Sequence, residues 1–457
     1  MSAASDSPEH PPASSVVGGP SPRRTFVCLS SQRWSDAMWT NKQHVMSRLA
    51  REHRVIYVDF GTRPLVEILR RRLRSSACAL QSVLDAAGSG WGARLDPLAP
   101  VVEERDGVTV LDFPIPRFAE HLPHGSRVRA AVELDLRTLA LGRWLKAQSI
   151  GDAVIWVYHP GFGGRVASLP SSRIVYDCVD EYTAFPEFRG AEAWIAARER
   201  DLCAVADAVF CTSRPLFEGK QALAPGRVHL VPNVADAAHF ERAADPALPL
   251  PRDVAHLPRP MIGFVGAVSD YKVDLAWVAH LARQRPTWSV VLVGPHAVAD
   301  PTTDLSGLRA VPNVHLVGYR PYAALPAYLK AFDAIVIPYR LGAATRGIFP
   351  LKFFESLASG RPVVISRLPA LEMYYADVLV AEDAESFVDA CAAAVAGKDD
   401  AAARDRRVGL ARRNTWESRI AQMLHRLDEL DTLDQPRGRP CPALSPGLPS
   451  PLSRSQR

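Results

Sequence analysis

Ala334–Ser366 reads AIVIPYRLGAATRGIFPLKFFESLASGRPVVIS, and its order of elements decides the fold. Ala334–Pro338 is a short apolar run rich in β-branched residues, the pattern of a buried strand. Leu341–Phe349 carries two glycines among small residues and reads as a loop. Pro350 suits the first turn of a helix, where its missing N–H costs nothing. Phe353, Phe354, Leu357 and Ala358 recur at helical spacing, Gly360 ends the helix, and Pro362–Ser366 is the next strand. A helix start behind a glycine loop offers free N–H groups and a positive dipole end to an anion. Lys352 and Glu355, three apart, share the first turns. A cation there can meet a phosphate, and a carboxylate one turn on can accept hydrogen bonds from sugar hydroxyls. Phosphate plus sugar is what a nucleotide-sugar presents.

The same strand and helix alternation runs outward in both directions. Thr25–Leu29, a helix from about Lys42 to Arg51, and Arg54–Asp59 form a βαβ unit, the signature of a parallel sheet. Gly107–Phe113, Ala153–Tyr158, Arg173–Cys178, Asp207–Thr212 and Arg227–Val231 read as further strands, with a long helix over Arg127–Ala147. Ala243–Pro260, rich in Pro and Ala, reads as a linker. Met261–Gly266, Trp288–Gly294, Val314–Val317, Ala334–Pro338 and Val363–Ser366 then give a second set of strands. The fold class is therefore α/β. Residues 1–23 are expected to be a disordered tail, 24–242 a first domain, 243–260 a linker and 261–415 a second domain. A helix pattern over 416–433 is expected to end the ordered part, with 434–457 a second Pro- and Ser-rich tail.

Bulk composition narrows the function. The chain has 457 residues, 47% of them hydrophobic and 23% charged, a globular balance with room for two domains. A net charge of +5 predicts no nucleic-acid partner. The seven cysteines are scattered without a C-x-x-C pair, so neither a zinc site nor a disulfide framework is expected and a reducing cytoplasm fits. No stretch approaches the roughly 18–20 apolar residues of a membrane span, and the amino terminus lacks a secretory pattern. Ile68, Leu69 and Leu73 alternate with Arg70, Arg71, Arg72 and Arg74, either a solvated helix face or a peripheral contact with the inner face of a membrane. No G-x-G-x-x-G follows the first strand, which disfavours a dinucleotide-dependent dehydrogenase.

Candidate site residues fall at strand ends. Gln32, Arg33, Trp34, Trp39, Asn41, Gln43 and His44 follow the first strand, where open α/β sheets bind ligands; they suit a sugar or lipid-linked sugar, or simply pack. His159 ends a strand and can act as base, orient an acceptor or be structural. Asp180 and Glu181 can bind the acceptor, act as base, or cap the next helix. Gly266 lets backbone approach a phosphate that Lys272 can reach.

PLKFFESLASGRPVV resembles the donor segment of GT-B glycosyltransferases, especially family 4 and related enzymes of surface polysaccharides, the teichuronic-acid type among them. That segment carries a Glu, seven residues, then a second Glu. Glu355 takes the second position, which the resemblance assigns to the donor ribose, while Gly347 stands at the first. Pro350, Lys352 and Glu355 fit a P-x-K-x-x-E subgroup. Tyr176–Glu181, Glu199, Ala206–Ser213 and Pro232–Phe240 follow the order of segments in the acceptor half, with Val234 where Gly is usual. The resemblance implies two Rossmann-like domains facing across a cleft, with a nucleotide diphosphate-sugar on the second, a sugar or lipid-linked acceptor on the first, and a carboxy-terminal helix, here 416–433, that crosses back to the first domain. It implies hexosyl transfer with retention. The loop Thr345–Phe349, the helix start at Pro350 and Lys352 can stabilise a leaving diphosphate, and no Asp-x-Asp motif is present, so neither a metal nor a cofactor is expected. Thr345, Arg346, Gly347, Ile348, Phe349, Pro350, Leu351, Lys352 and Glu355, with Gly266 and Lys272, are the expected donor residues; His159, Asp180 and Glu181 are the catalytic candidates. A nucleotide-sugar epimerase of the same fold and a silent sugar-binding scaffold are the alternatives.

Overall fold

The computed structural model describes residues 23–59, 99–113, 127–296, 300 and 302–433; the basic stretch Arg70–Arg74 and both tails lie outside them. Two sheets organise the chain. The first has eight strands in the order β3-β4-β2-β1-β5-β6-β7-β8: β1 Thr25–Leu29, β2 Arg54–Val58, β3 Val101–Arg105, β4 Val108–Asp112, β5 Ala153–Val157, β6 Ser171–Cys178, β7 Ala208–Cys211 and β8 Val228–Leu230. All neighbours are parallel except β3 and β4. The second sheet is wholly parallel, in the order β11-β10-β9-β12-β13-β14: β9 Met261–Val265, β10 Ser289–Val293, β11 Val314–Gly318, β12 Ala334–Ile337, β13 Val363–Ser366 and β14 Leu379–Ala381.

Burial explains why the sequence signal for the strands is continuous rather than alternating. Phe26 and Cys28 pack on one face of the first sheet, Val27 and Leu29 on the other, and all four are fully buried. A parallel strand covered on both faces needs apolar residues at every position. The edge strand β3, VVEER, is exposed throughout and escapes that pattern; it joins β4 through Asp106 and Gly107, both at positive φ (52° and 78°), as a tight hairpin requires.

Two connections differ from a simple bipartite chain. The helix Trp416–Leu433 returns to the first domain, where Trp416, Ile420, Met423 and Leu427 cover the same sheet face as the helix Asn41–Leu49. The Pro- and Ala-rich stretch expected as a linker is fastened to the second domain. Phe240, Ala243 and Val254 lie in that domain's core, and Lys330 Nζ donates to the carbonyls of Asp245, Pro246 and Leu248 at 2.7, 3.0 and 2.6 Å. Among the described residues no helix is long and apolar enough to cross a membrane.

In each sheet the chain reverses its winding beside the first strand: β1 lies between β2 and β5, and β9 between β10 and β12. Ligands of open α/β sheets settle at such switch points, beyond the carboxyl ends of the strands. The two switch points contribute to one cavity between the domains.

Candidate active site

The cavity has a volume of about 850 Å³ and draws its walls from both domains, a size suited to a ligand as large as a nucleotide-sugar. The first domain supplies the segment after β1 and the start of the helix Asn41–Leu49, Val179 and Asp180 after β6, and Asn233 and Asp236 after β8. The second supplies Gly266 and Lys272 after β9, Tyr319, Arg320 and Tyr322 after β11, and Tyr339, Ile348–Lys352 and Glu355 after β12.

Lys352 is the centre of the second wall. The helix that carries it, Lys352–Ala358, begins two residues later than the sequence pattern suggests, because Pro350 and Leu351 form the turn leading into it. Seven residues make fewer than two turns, so charge recognition falls on side chains more than on the helix dipole. The Lys352 ammonium donates to Tyr339 Oη at 2.7 Å and lies 4.8 Å from the Phe264 ring centroid and 5.0 Å from that of Tyr339. Burial among these rings, with Lys272 near, pushes its pKa down to about 7, against the pull of Glu355. Glu355, one turn on, is pushed up to about 7 by burial, with Lys352 opposing and Asp236 assisting.

Gly266, at φ +139°, leaves bare backbone beside Lys352. A Cβ there would collide with the Lys352 Cε and Nζ. The absent side chain is what gives the ammonium its place. Lys272 lies over the rings of Tyr271 and Tyr339, at 5.5 and 5.9 Å, on the same side of the cavity.

Across the cleft, Asp180 is the carboxylate that β6 delivers. Burial raises its pKa to about 6, opposed by the charges of Lys42 and Lys272. Its neighbour Glu181 turns away and does not line the cavity. Glu181 accepts from Lys220 Nζ at 3.1 Å and from Thr183 Oγ1 at 2.5 Å; Lys220 also bonds Glu199 at 2.7 Å, and Glu199 accepts from Tyr176 Oη at 2.7 Å. This chain of charges accounts for Glu199, in the helix Glu192–Val205, as a structural partner. Lysine burial is offset by two carboxylates, and Glu181 is held below its ordinary pKa against the effect of its own burial.

His159 also sits behind the wall. Its Nδ1 accepts from the Gly161 amide at 3.0 Å, and its ring packs against Phe162, Tyr182 and Phe188. Burial, helped by Lys42 and Arg137, pushes its pKa down to about 3, so the imidazole is neutral. Such a group caps the turn after β5 rather than reaching the cavity. Of the expected donor residues, Gly266, Lys272, Ile348, Phe349, Pro350, Leu351, Lys352 and Glu355 line the cavity, whereas Thr345, Arg346 and Gly347 do not. The stretch read as a loop contains a helical turn, Ala343–Arg346. Thr345 Oγ1 is spent inside it, donating to the Arg340 carbonyl and accepting from the Gly342 amide at 3.1 Å. Arg346 is exposed.

The structure adds residues that sequence reading did not assign a role: Lys42, Arg48, Asn233, Asp236, Tyr322 and Tyr339. Arg48 binds Asp236 at 3.4 Å and Glu417 at 3.1 Å. His44, held neutral by burial with a pKa near 3, stacks on Trp416 at 4.9 Å. Lys42 lies within the polar, aromatic segment after the first strand, and Asn233 and Asp236 lie within Pro232–Phe240; Tyr322 and Tyr339 carry no such signal. Among the described residues no three His, Cys, Asp or Glu side chains gather as metal ligands.

Comparison with known proteins fits this arrangement. Residues 259–396 match the family model described as Glycosyl transferases group 1. A candidate teichuronic acid biosynthesis glycosyltransferase, TuaH of Bacillus subtilis (strain 168), is 27% identical over 288 residues, covering 59% of this chain and 70% of that protein. The UDP-forming α,α-trehalose-phosphate synthase of Burkholderia xenovorans superposes with a TM-score of 0.63 at 13% identity, over 90% of this chain and 99% of that one. Sucrose-phosphate synthase of Thermosynechococcus elongatus gives 0.61 at 18% identity, over 90% and 100%. Such distant structures speak for the fold: two parallel-sheet domains around a cleft. The chain shares the GT-B fold of these structures, and its residues 259–396 match the glycosyl transferases group 1 family.

Proposed function

We propose that the protein transfers a sugar from a nucleotide diphosphate-sugar to a hydroxyl of a sugar or lipid-linked acceptor in polysaccharide or glycoconjugate synthesis. The observation that carries this reading is the Lys352 ammonium lying beside the bare Gly266 backbone, with Glu355 one turn away, in the cavity between the domains. The diphosphate seats against Gly266, Lys352 and Lys272, and Glu355 accepts from the ribose hydroxyls. When the bond from the anomeric carbon to phosphate breaks, negative charge grows on the leaving diphosphate. Lys352, which binds the donor in its charged form, stabilises that charge where it develops. These side chains take the role a divalent cation would have, so the reaction runs without metal. Asp180, across the cleft, binds the acceptor hydroxyl or takes its proton as the oxygen bonds to the anomeric carbon. Retention of configuration remains part of the proposal through the family 4 resemblance. So does peripheral contact with an anionic membrane through Arg70–Arg74, which flotation with anionic vesicles tests.

The first experiment is a thermal-shift panel of UDP-, GDP- and dTDP-sugars. A ligand that binds only the folded state must raise its melting temperature. The donor so found is then incubated with oligosaccharide acceptors. Transfer supports the proposal; free nucleoside diphosphate without a glycosylated acceptor points to epimerase chemistry, and binding without turnover to a scaffold.

A further inference from the structure

Three alternate residues ahead of the helix Lys352–Ala358 touch the first domain rather than their own. The Gly347 carbonyl accepts from Ser213 Oγ at 2.7 Å, and the Phe349 carbonyl accepts from Asn233 Nδ2 at 2.7 Å; both bonds are buried. The Leu351 side chain packs on the first domain's core. Neither donor is casual. Ser213 is the N-cap of the helix Arg214–Gln221, accepting from the Leu216 amide at 3.4 Å while it donates to Gly347. Asn233 is held from behind: its Oδ1 accepts from Asn41 Nδ2 and from Arg419 Nη1 at 3.0 Å, and Arg419 pairs with Asp177 at 3.2 Å. Asp177, Arg419, Asn233 and Asn41 are each at most 5% exposed.

Gly347 itself has an ordinary φ of −91°, so its backbone would accept any residue. Space is tight: a Cβ would lie 3.1 and 3.2 Å from Leu216 carbons of the first domain, which would have to give way. The glycine standing where the resemblance expects Glu is therefore a contact between domains, not a gap in the donor wall.

We propose that residues 347–351 are a latch, through which closure of the two domains sets the donor-binding segment, and that Ser213 and Asn233 are positioning residues acting through it. This rests on the donor reading of Lys352 and Glu355. Closing the cleft fixes the backbone from Gly347 to Leu351 and so aims the helix start that follows it. Parting the domains frees that backbone and loosens the hold on the diphosphate. The chain Asp177–Arg419–Asn233 extends the latch to the helix Trp416–Leu433, tying the carboxy-terminal crossover to the donor segment.

The full chain tests this with three variants. Gly347→Glu restores the residue expected from the resemblance and should fit only an opened cleft. Asn233→Asp keeps the acceptor for Arg419 and removes the donor to Phe349. Ser213→Thr keeps the hydroxyl and serves as the conservative control. Small-angle scattering of the unliganded proteins reads closure without any ligand, and calorimetry with UDP, GDP and dTDP reads donor affinity. Gly347→Glu and Asn233→Asp should enlarge the radius of gyration and weaken the nucleotide that wild type binds by about tenfold or more, the scale of a lost buried hydrogen bond. Their turnover should fail chiefly through KM. Ser213→Thr should retain affinity within a few-fold. Unchanged dimensions together with unchanged affinity in the first two variants overturn the latch. If wild type binds none of the three nucleotides, the donor reading falls, and the latch's link to donor binding falls with it.

Discussion

Replacing Lys352 by Met removes the ammonium while keeping most of its stem. An ammonium about 3 Å from a diphosphate oxygen attracts it by roughly 5 kcal/mol at an effective dielectric of about 20. After desolvation, a hydrogen bond to a charged group retains about 2–3 kcal/mol, which is about 30- to 150-fold in Kd. The effect on the empty protein has a different sign. Lys352 lies among Phe264 and Tyr339, and burial already pushes its pKa down to about 7; an apolar side chain of similar volume relieves that cost. The bond to Tyr339 Oη, the contacts with both rings and the attraction to Glu355 are lost and offset part of that gain, so the melting temperature of Lys352→Met should hold or rise only slightly. Calorimetric titration with the cognate nucleoside diphosphate, beside thermal melts of both proteins, reads the two effects separately. A Kd within threefold of wild type would refute the assignment of Lys352 to the diphosphate. Weaker binding accompanied by a large fall in melting temperature would show that Lys352 acts through the fold instead.

Further outcomes follow from neighbouring groups. Lys352 drops from an ordinary 10.5 to about 7, so the unfolded chain binds more protons between those values and its share of stability grows as pH rises through that window. Donor binding needs the charged form, so affinity should fall above pH 7 by up to tenfold per unit, with uptake of about one proton in buffers of differing ionisation heat. Glu355, raised from 4.5 to about 7, works the other way on stability: its contribution is present below pH 4.5 and lost as pH climbs to about 7. Asp180, raised to about 6, should impose an acidic limb near that pH on kcat/KM; Asp180→Asn should abolish most activity, and a variant that stays active with the same limb would clear Asp180 of the role. Gly266→Ala puts a methyl group into the Lys352 head and should weaken the donor by tenfold or more, visible in the same titrations. Arg419→Met leaves Asp177 buried and unpaired, and should cost about 3–5 kcal/mol in denaturant unfolding.

What the sequence by itself determined was local. Strands buried on both faces announce themselves through unbroken apolar runs, and Lys352 and Glu355 share a cavity wall because three residues of helix place them there whatever surrounds them. The exposed strand β3 left no such trace, and the start of the Lys352 helix was offset by two residues because proline marks a turn as readily as a helix. What only the tertiary structure decided was which polar groups remain for a ligand. Glu181 is adjacent to Asp180, yet Lys220, 39 residues on, claims it and leaves Asp180 to the cavity. His159 is claimed by the Gly161 amide and an aromatic shell. Asp177 meets Arg419 across 242 residues, because the last helix returns to the first sheet. A side chain's type and spacing state what it can bind, but the partner it finds on folding, set by which distant surfaces pack together, determines whether any of that capacity is left over for substrate.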